Sequence, residues 1–259
     1  MTVPASGMSD ELVSCVMATG NRNRFFPQAL RGFLSQTYRP CELVVVDDGE
    51  TPVGRWCRGI AGVKYVRLTR RTPTGAKLNL GIELAAGAIL QKMDDDDYYA
   101  PGFLATSVGR LQASSSKRAI AAWDCFLVHL AGSPGLHFSG HGWMAGGTLC
   151  FRRALWESAP FRDVARDEDA YFLEDHAGCP RLRIRSAPEQ YVLVRHGSNT
   201  WKRLPDGTQV DGFARALAEY PKPMSEVVGD AEAARFYARL RPRAAATAAG
   251  QARASRRSR

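Results

Sequence analysis

The run Met93-Asp94-Asp95-Asp96-Asp97-Tyr98-Tyr99-Ala100-Pro101 concentrates the chemistry of this chain. Four adjacent carboxylates repel one another, so a fold that keeps them ionised and close needs a cation or a basic neighbour. Hard oxygen donors select Mg2+ or Mn2+, and a divalent ion held by few carboxylates shares its other positions with substrate phosphates. A solvated acidic turn has the same composition. Two more acidic sites stand at Asp47-Asp48-Gly49 and Asp167-Glu168-Asp169. Taken singly, the first reads as a turn with its Asp-Gly signature, and the second as helix N-terminal acids that favour the dipole.

The elements around these acids alternate. Residues 12–18, 42–46, 63–68 and 88–93 are apolar runs with strand character. Between them, Phe26, Ala29, Leu30, Phe33 and Leu34 recur at helical spacing with Pro27 in the first turn, and residues 75–86 form a second helical segment. Residues 101–111 read as helix, 119–130 as mostly extended, 148–151 as strand, 152–158 as a short helix and 167–173 as a helix start. Residues 191–195 are the last expected strand, and the Gly- and aromatic-bearing stretch 131–147 is a long loop. Strands alternating with helices predict βαβ units and an α/β fold with a mainly parallel sheet. Such a sheet gathers its strand C-termini on one edge, so Asp48 and Asp96 would face one crevice. That arrangement fits a nucleotide site, with one carboxylate accepting sugar or base hydrogen bonds and another holding the metal.

The 259 residues, 45% of them hydrophobic, suffice for one sizeable domain. The net charge of +9 is uneven, because six arginines and no acid follow Leu240. Residues 241–259 therefore read as a basic disordered tail, capable of peripheral contact with an anionic membrane and of no specific nucleic-acid recognition. The six cysteines form no CxxC pair, no signal peptide opens the chain, and no apolar run reaches membrane-spanning length, so a reducing cytoplasm is expected. A Walker phosphate loop is excluded by the lack of GxxxxGK[ST]. A response-regulator receiver is excluded by length and by the placement of its acids.

Six blocks in series carry a family resemblance: VSCVMATGNR (13–22), SQTYRPCELVVVDDG (35–49), GAKLNLGIELAAG (75–87), MDDDDYYAP (93–101), GGTLCFRR (146–153) and DEDAYFL (167–173). Together, over residues 12–201, they resemble family 2 glycosyltransferases of the GT-A fold, a Rossmann-like sheet flanked by helices with a smaller acceptor-side subregion. The resemblance implies a domain over residues 10–240, its nucleotide-sugar-binding half at 12–111 and its acceptor-side half at 112–240. It implies a nucleotide-diphosphate-sugar donor, a hydroxyl-bearing acceptor, Mn2+ or Mg2+, and inversion at the anomeric carbon.

Position by position, Ala18 and Thr19 match the strand end that meets the base, with Arg22 beside them at base or phosphate. Asp48 matches the acid that bonds the nucleobase. Lys77 and Asn79 lie in the segment approaching diphosphate or ribose, although Leu78 stands where the family often has Arg. Asp94, Asp95 and Asp96 match the DXD stretch, Asp95 at the ribose and Asp96 on the metal, with Asp97 free to cap the next turn. Asp169 matches the catalytic base, and Glu168 raises its proton affinity by like-charge repulsion. His196, near Arg195 and Lys202, is a candidate third metal ligand or diphosphate contact, and equally a structural histidine. Trp143 and Trp201 would stack on a sugar or base, or simply pack. Residues 133–144 would form an acceptor-side lid. A sugar nucleotidyltransferase and a non-catalytic nucleotide-sugar-binding protein of the same fold are the rival readings.

Overall fold

The computed structural model describes residues 11–196, 199 and 217–241; Trp201, Lys202 and the tail from 242 lie outside the described residues. Its first half runs β1 (Val13–Thr19), α1 (Phe26–Leu34), β2 (Cys41–Asp47), α2 (Gly54–Cys57), β3 (Val63–Arg67), α3 (Thr74–Leu84), β4 (Ile89–Lys92), β5 (Tyr98–Tyr99) and α4 (Phe103–Gln112). The second half runs β6 (Ile120–Trp123), β7 (Leu127–Leu130), β8 (Leu136–Phe138), β9 (Cys150–Arg152), α5 (Arg153–Ser158), α6 (Glu168–Asp175), β10 (Arg181–Ile184), β11 (Tyr191–Arg195) and β12 (Ala218–Tyr220). Two short helices, α7 (Met224–Val227) and α8 (Ala231–Ala238), follow.

β1 and β2 read as largely apolar runs, and all four residues of β4 are buried, because both faces of these strands are covered. Val13, Cys15, Met17, Leu43, Val45 and Ile89 pack against Phe26, Leu30 and Phe33 of α1 and Phe103, Leu104 and Val108 of α4. On the other face Val16, Val44, Val46 and Leu90 meet Leu78 and Ile82 of α3, Leu155 of α5 and Phe172 of α6. The central sheet has the order β10-β6-β9-β4-β1-β2-β3 and is parallel except at β9, which runs antiparallel to both neighbours. Helices on both faces of a mostly parallel sheet confirm the α/β expectation.

A second sheet, β12-β8-β7-β11-β5, leans on α7 and α8 through Phe25, Tyr98, Val192, Val194, Met224 and Tyr237. Here the structure departs from the sequence expectations. The stretch 131–147 is not all loop, because Leu136–Phe138 pairs with both β7 and β12. Nor is β11 the last strand, since β12 follows it. A three-residue strand flanked by glycines has no readable period, and its pairing partners decide its state. β10 is missing from the expected elements, although Arg181-Leu182-Arg183-Ile184 alternates with the period of a strand.

All six cysteines are free thiols and five of them are buried, Cys15 and Cys150 completely. Among the described residues no helix is long and apolar enough to cross a membrane.

Candidate active site

The C-terminal ends of β1, β2 and β4 lie side by side and open into a cleft of about 1340 Å3. The tetra-aspartate run leaves β4 as a tight turn into β5. Tyr99 fixes that turn, because its hydroxyl accepts from the Asp94 amide (2.7 Å) and donates to the Gly147 carbonyl (2.9 Å). The four carboxylates then diverge to four different tasks.

Asp94 receives Lys92 Nζ at 2.7 Å. Asp95 accepts from the Thr19 hydroxyl at 2.5 Å and faces Arg22 at 3.7 Å. Asp96 Oδ2 meets His196 Nε2 at 2.9 Å, Asn199 Nδ2 at 3.3 Å and Arg22 at 3.5 Å. Asp97 does not cap the following turn. It is buried, accepts from the Val194 amide and the Tyr191 hydroxyl, and so stitches the turn to β11.

Electrostatics sort these acids further. Burial and the neighbouring Asp96 charge push Asp95 up to about 7, against Arg22 and Thr19. Burial works against ionised Asp96 as well, yet the His196 hydrogen bond and the Arg22 charge hold it below the usual carboxylate range. Burial and the charges of Asp96 and Asp94 drive Asp97 well above that range. Asp96 is thus the acid of the run that stays ionised most readily. His196 is held in place by Phe25, whose ring lies 4.1 Å from the imidazole, and by Asn199, which accepts from the His196 amide.

Lys92 is the main residue that sequence reasoning missed. It is buried on β4 and binds both Asp94 (2.7 Å) and Glu168 (3.5 Å). Burial disfavours its charge, but Asp94, Glu168 and Asp169 outweigh that and hold its pKa well above the ordinary range. A lysine inside an apolar strand is itself a signal, because such a charge is tolerated only when paired.

Glu168 and Asp169 open α6, and Asp167 before them adopts φ 59°. Asn21, at φ 59° in the loop after β1, is the other left-handed non-glycine residue among the described residues of the cleft, and Asn and Asp are the types that tolerate that conformation. The turn Gly146-Gly147 passes so close that a Cβ on Gly146 would collide with the Asp169 carboxylate, and one on Gly147 would lie 2.6 Å from Asp94 Oδ2. Those two glycines let β4 and α6 bring Asp94 and Asp169 to one place. Glu168 turns inward to Lys92 and is buried; Asp169 is only half-buried and lines the cleft.

Ala18, Thr19, Arg22, Lys77, Asp94, Asp95, Asp96, Glu168, Asp169 and His196 all line this one cleft. Asp48 stands just behind its wall, accepting from Arg71, the Thr72 amide and Lys77. It holds the wall residues rather than forming the surface. Asn79 is set apart from the cleft, contrary to expectation. Its side chain accepts from Trp156 Nε1 and the Phe161 amide and donates to the Phe161 carbonyl, so it pins the segment after α5. Two residues along α3, just over half a turn, carry Asn79 to the face away from Lys77 and leave it facing α5.

The donor set suits a divalent cation. A carboxylate and an imidazole converge, and among the described residues no group of three or more His, Cys, Asp or Glu side chains does so. An incomplete protein shell is what an ion shared with phosphate oxygens requires.

Burial, with the charges of Asp169 and Asp94 adding, pushes Glu168 up to about 7 despite Lys92. A carboxyl whose folded pKa exceeds its unfolded value favours the fold when protonated. That contribution is full below about 4.5 and is lost as pH rises through about 7. The metal-free protein is therefore expected to lose about 1–3 kcal/mol between pH 5 and 8 from this group. Glu168→Gln should flatten that part of a Tm-against-pH curve; an unchanged curve would remove Glu168 as its source.

The model of the family described as Glycosyl transferase family 2 matches residues 14–187. The chain belongs to that family. The chain is 28% identical over 102 residues to an uncharacterized glycosyltransferase of Rickettsia conorii, covering 38% of this chain and 17% of that one. It is 26% identical over 107 residues to the glycosyltransferase GlyG of Streptococcus pneumoniae, covering 39% and 36%. The match thus spans well under half the length of these relatives.

Its fold is that of the mannosyltransferase PcManGT from Pyrobaculum calidifontis, solved with GDP-Man and Mn2+, at TM-score 0.57 and 19% identity, covering 73% of this chain and 57% of that one. Staphylococcus aureus TarS 1-349, solved with UDP-GlcNAc, matches at TM-score 0.57 and 15% identity, covering 72% and 59%. At such identities the likeness concerns the GT-A fold alone.

Proposed function

We propose that this glycosyltransferase moves a sugar from a nucleotide-diphosphate donor to an acceptor hydroxyl, with inversion and with Mn2+ or Mg2+ bound. The observation that carries this reading is the asymmetry of the α6 pair. Glu168 is buried against Lys92 at the cleft wall, and Asp169 is the more open of the two acids that start α6. One open base without a carboxylate nucleophile suits a single displacement.

In that reading Ala18 and Thr19 end β1 beneath the base, and Asp95 meets the ribose. Asp96, with His196, would hold the cation, which when bound stabilises the charge developing on the leaving diphosphate. Arg22 sits 3.5–3.7 Å from Asp95 and Asp96, a loose pairing from which its guanidinium can turn to phosphate oxygens. Asp169 takes the acceptor's hydroxyl proton as that oxygen attacks the anomeric carbon from the face opposite the leaving group. Residues 12–111 would hold the donor and 112–240 meet the acceptor, with Trp143 on the acceptor side. The neighbours' bound GDP-Man, UDP-GlcNAc and Mn2+ support the donor class and the ion. The basic tail would keep a cytoplasmic enzyme at an anionic membrane surface.

A thermal-shift screen of UDP-, GDP- and dTDP-sugars with and without Mn2+ tests this. One nucleotide class at about 100 times its Kd should stabilise the fold by about 2.7 kcal/mol, and EDTA should reverse the shift. If no nucleotide sugar raises Tm under either condition, the donor reading fails.

A further inference from the structure

β10 is the edge strand of the central sheet, and its period of two puts Arg181, Arg183 and Arg185 on one face. Leu182 and Ile184 point the other way, into the core beneath α4. The arginine face is the one that carries α6. Arg181 Nη2 bonds the carbonyls of Leu173 and His176 at the far end of that helix, and Arg181 and Arg183 line the cleft together with Asp169 and Leu173.

These cations are not balanced. Arg183 and Arg185 share a single buried carboxylate, Asp124, at 2.8 and 3.1 Å. Arg181 has no ion pair among the described residues, and its Nη1 is buried without a hydrogen-bond partner there. Burial and the like charge of Arg183 both depress its pKa. Three guanidinium groups thus stand near one carboxylate that pairs two of them, and the patch keeps a net positive charge that attracts anions. Planar guanidinium forks match phosphate oxygens bidentately.

We infer that Arg181 and Arg183 form an anion subsite on the acceptor side of the cleft, and that the acceptor carries a phosphate ester near its reacting hydroxyl. The spacing suits this. Four residues of α6 separate Asp169 from Leu173, about 6 Å of helix rise. Arg181, bonded to the Leu173 carbonyl, therefore stands about one helical turn from Asp169, so the acceptor's hydroxyl and phosphate would lie close together on one small molecule or headgroup. This assignment rests on Asp169 as the base of the proposed transfer; the anion subsite itself stands on the arginine geometry.

Calorimetric titration of the full chain with glycerol 1-phosphate, glycerate and glycerol tests it. The nucleotide diphosphate and Mn2+ chosen by the thermal screen are held saturating to fill the donor end. If the screen selects none, the titration is run on the protein alone, so the donor reading and the subsite fail separately. Glycerol 1-phosphate should bind, glycerate more weakly and glycerol not at all. Arg183→Ala should weaken the phosphate probe about ten- to a hundredfold and leave nucleotide affinity unchanged, with Arg183→Lys between. Arg185 remains to pair Asp124, so the variant should fold with the parent's Tm.

Phosphatidic acid in phosphatidylcholine vesicles supplies the same group as a headgroup. Vesicle binding stronger than that of glycerol 1-phosphate, and lost in Arg183→Ala, would make the source a lipid. Vesicle binding that persists in the variant belongs to the tail and would rule the lipid source out. Equal binding of glycerol and glycerol 1-phosphate, or an Arg183→Ala chain that binds the phosphate as the parent does, would overturn the subsite.

Discussion

Asp169→Asn should bind donor as the parent does and transfer sugar about 10²–10⁴ times more slowly. The substitution keeps the shape and the Oδ1 acceptor that receives the Ala170 amide at 2.8 Å, so α6 keeps its first turn. It removes one charge beside buried Glu168 and Asp94, which relieves repulsion rather than adding to it. Tm should therefore hold or rise slightly. What the amide cannot do is take a proton from the acceptor hydroxyl. Nucleotide release at saturating donor and acceptor measures the loss, and equilibrium binding measures the donor. Turnover equal to the parent would take the base role away from Asp169, and loss of donor binding would make it a binding residue instead.

Asp96→Asn is expected to have the second large effect, on the nucleotide rather than on the chemistry. Asp96 is the carboxylate of the run that the His196 hydrogen bond and Arg22 keep ionised against its burial. An amide there offers the cation one neutral oxygen in place of a charged ligand. Loss of an outer-shell partner alone costs metal sites about 10–100-fold, and a direct ligand should cost at least that. The parent's nucleotide affinity should rise with Mn2+, and the variant's should be nearly indifferent to it. The variant keeps a hydrogen-bonding partner for His196, so its fold is expected to survive. A Mn2+-enhanced affinity equal to the parent's would reassign the ion.

The parallel core was legible because β1 and β2 are mostly apolar runs, β2 ends in an acid and the short β4 leads into four, and burial on both faces leaves that signature. That the strand ends before Asp48 and Asp96 share one edge followed from the parallel order, whereas the roles of Thr19, Asp95 and Asp169, the last of which opens a helix, came only with the family resemblance. Lys92 was not legible as a partner of Glu168, because 76 residues separate them and only the glycine turn at 146–147 closes the distance. Asn79 read as a donor contact because the resemblance put its segment near the diphosphate or ribose, yet helical spacing turns it to Trp156 and Phe161. β8 and β12 depend on each other's hydrogen bonds, so neither segment announces itself alone. Asp97 was the least readable of the four aspartates. Nothing in its position distinguishes it from its neighbours, and its role comes from β11, nearly a hundred residues away.

The account's central claim is that acids from β4 and α6 meet around a cation-bound donor. Diffraction at the manganese absorption edge, from crystals holding Mn2+ and the selected nucleotide diphosphate, tests it most directly. The account predicts an anomalous peak within coordination distance, about 2.0–2.4 Å, of Asp96, bridging to diphosphate oxygens, with Asp169 across the cleft. A peak away from Asp96, or a nucleotide seated outside the cleft between Thr19 and Asp169, would contradict it.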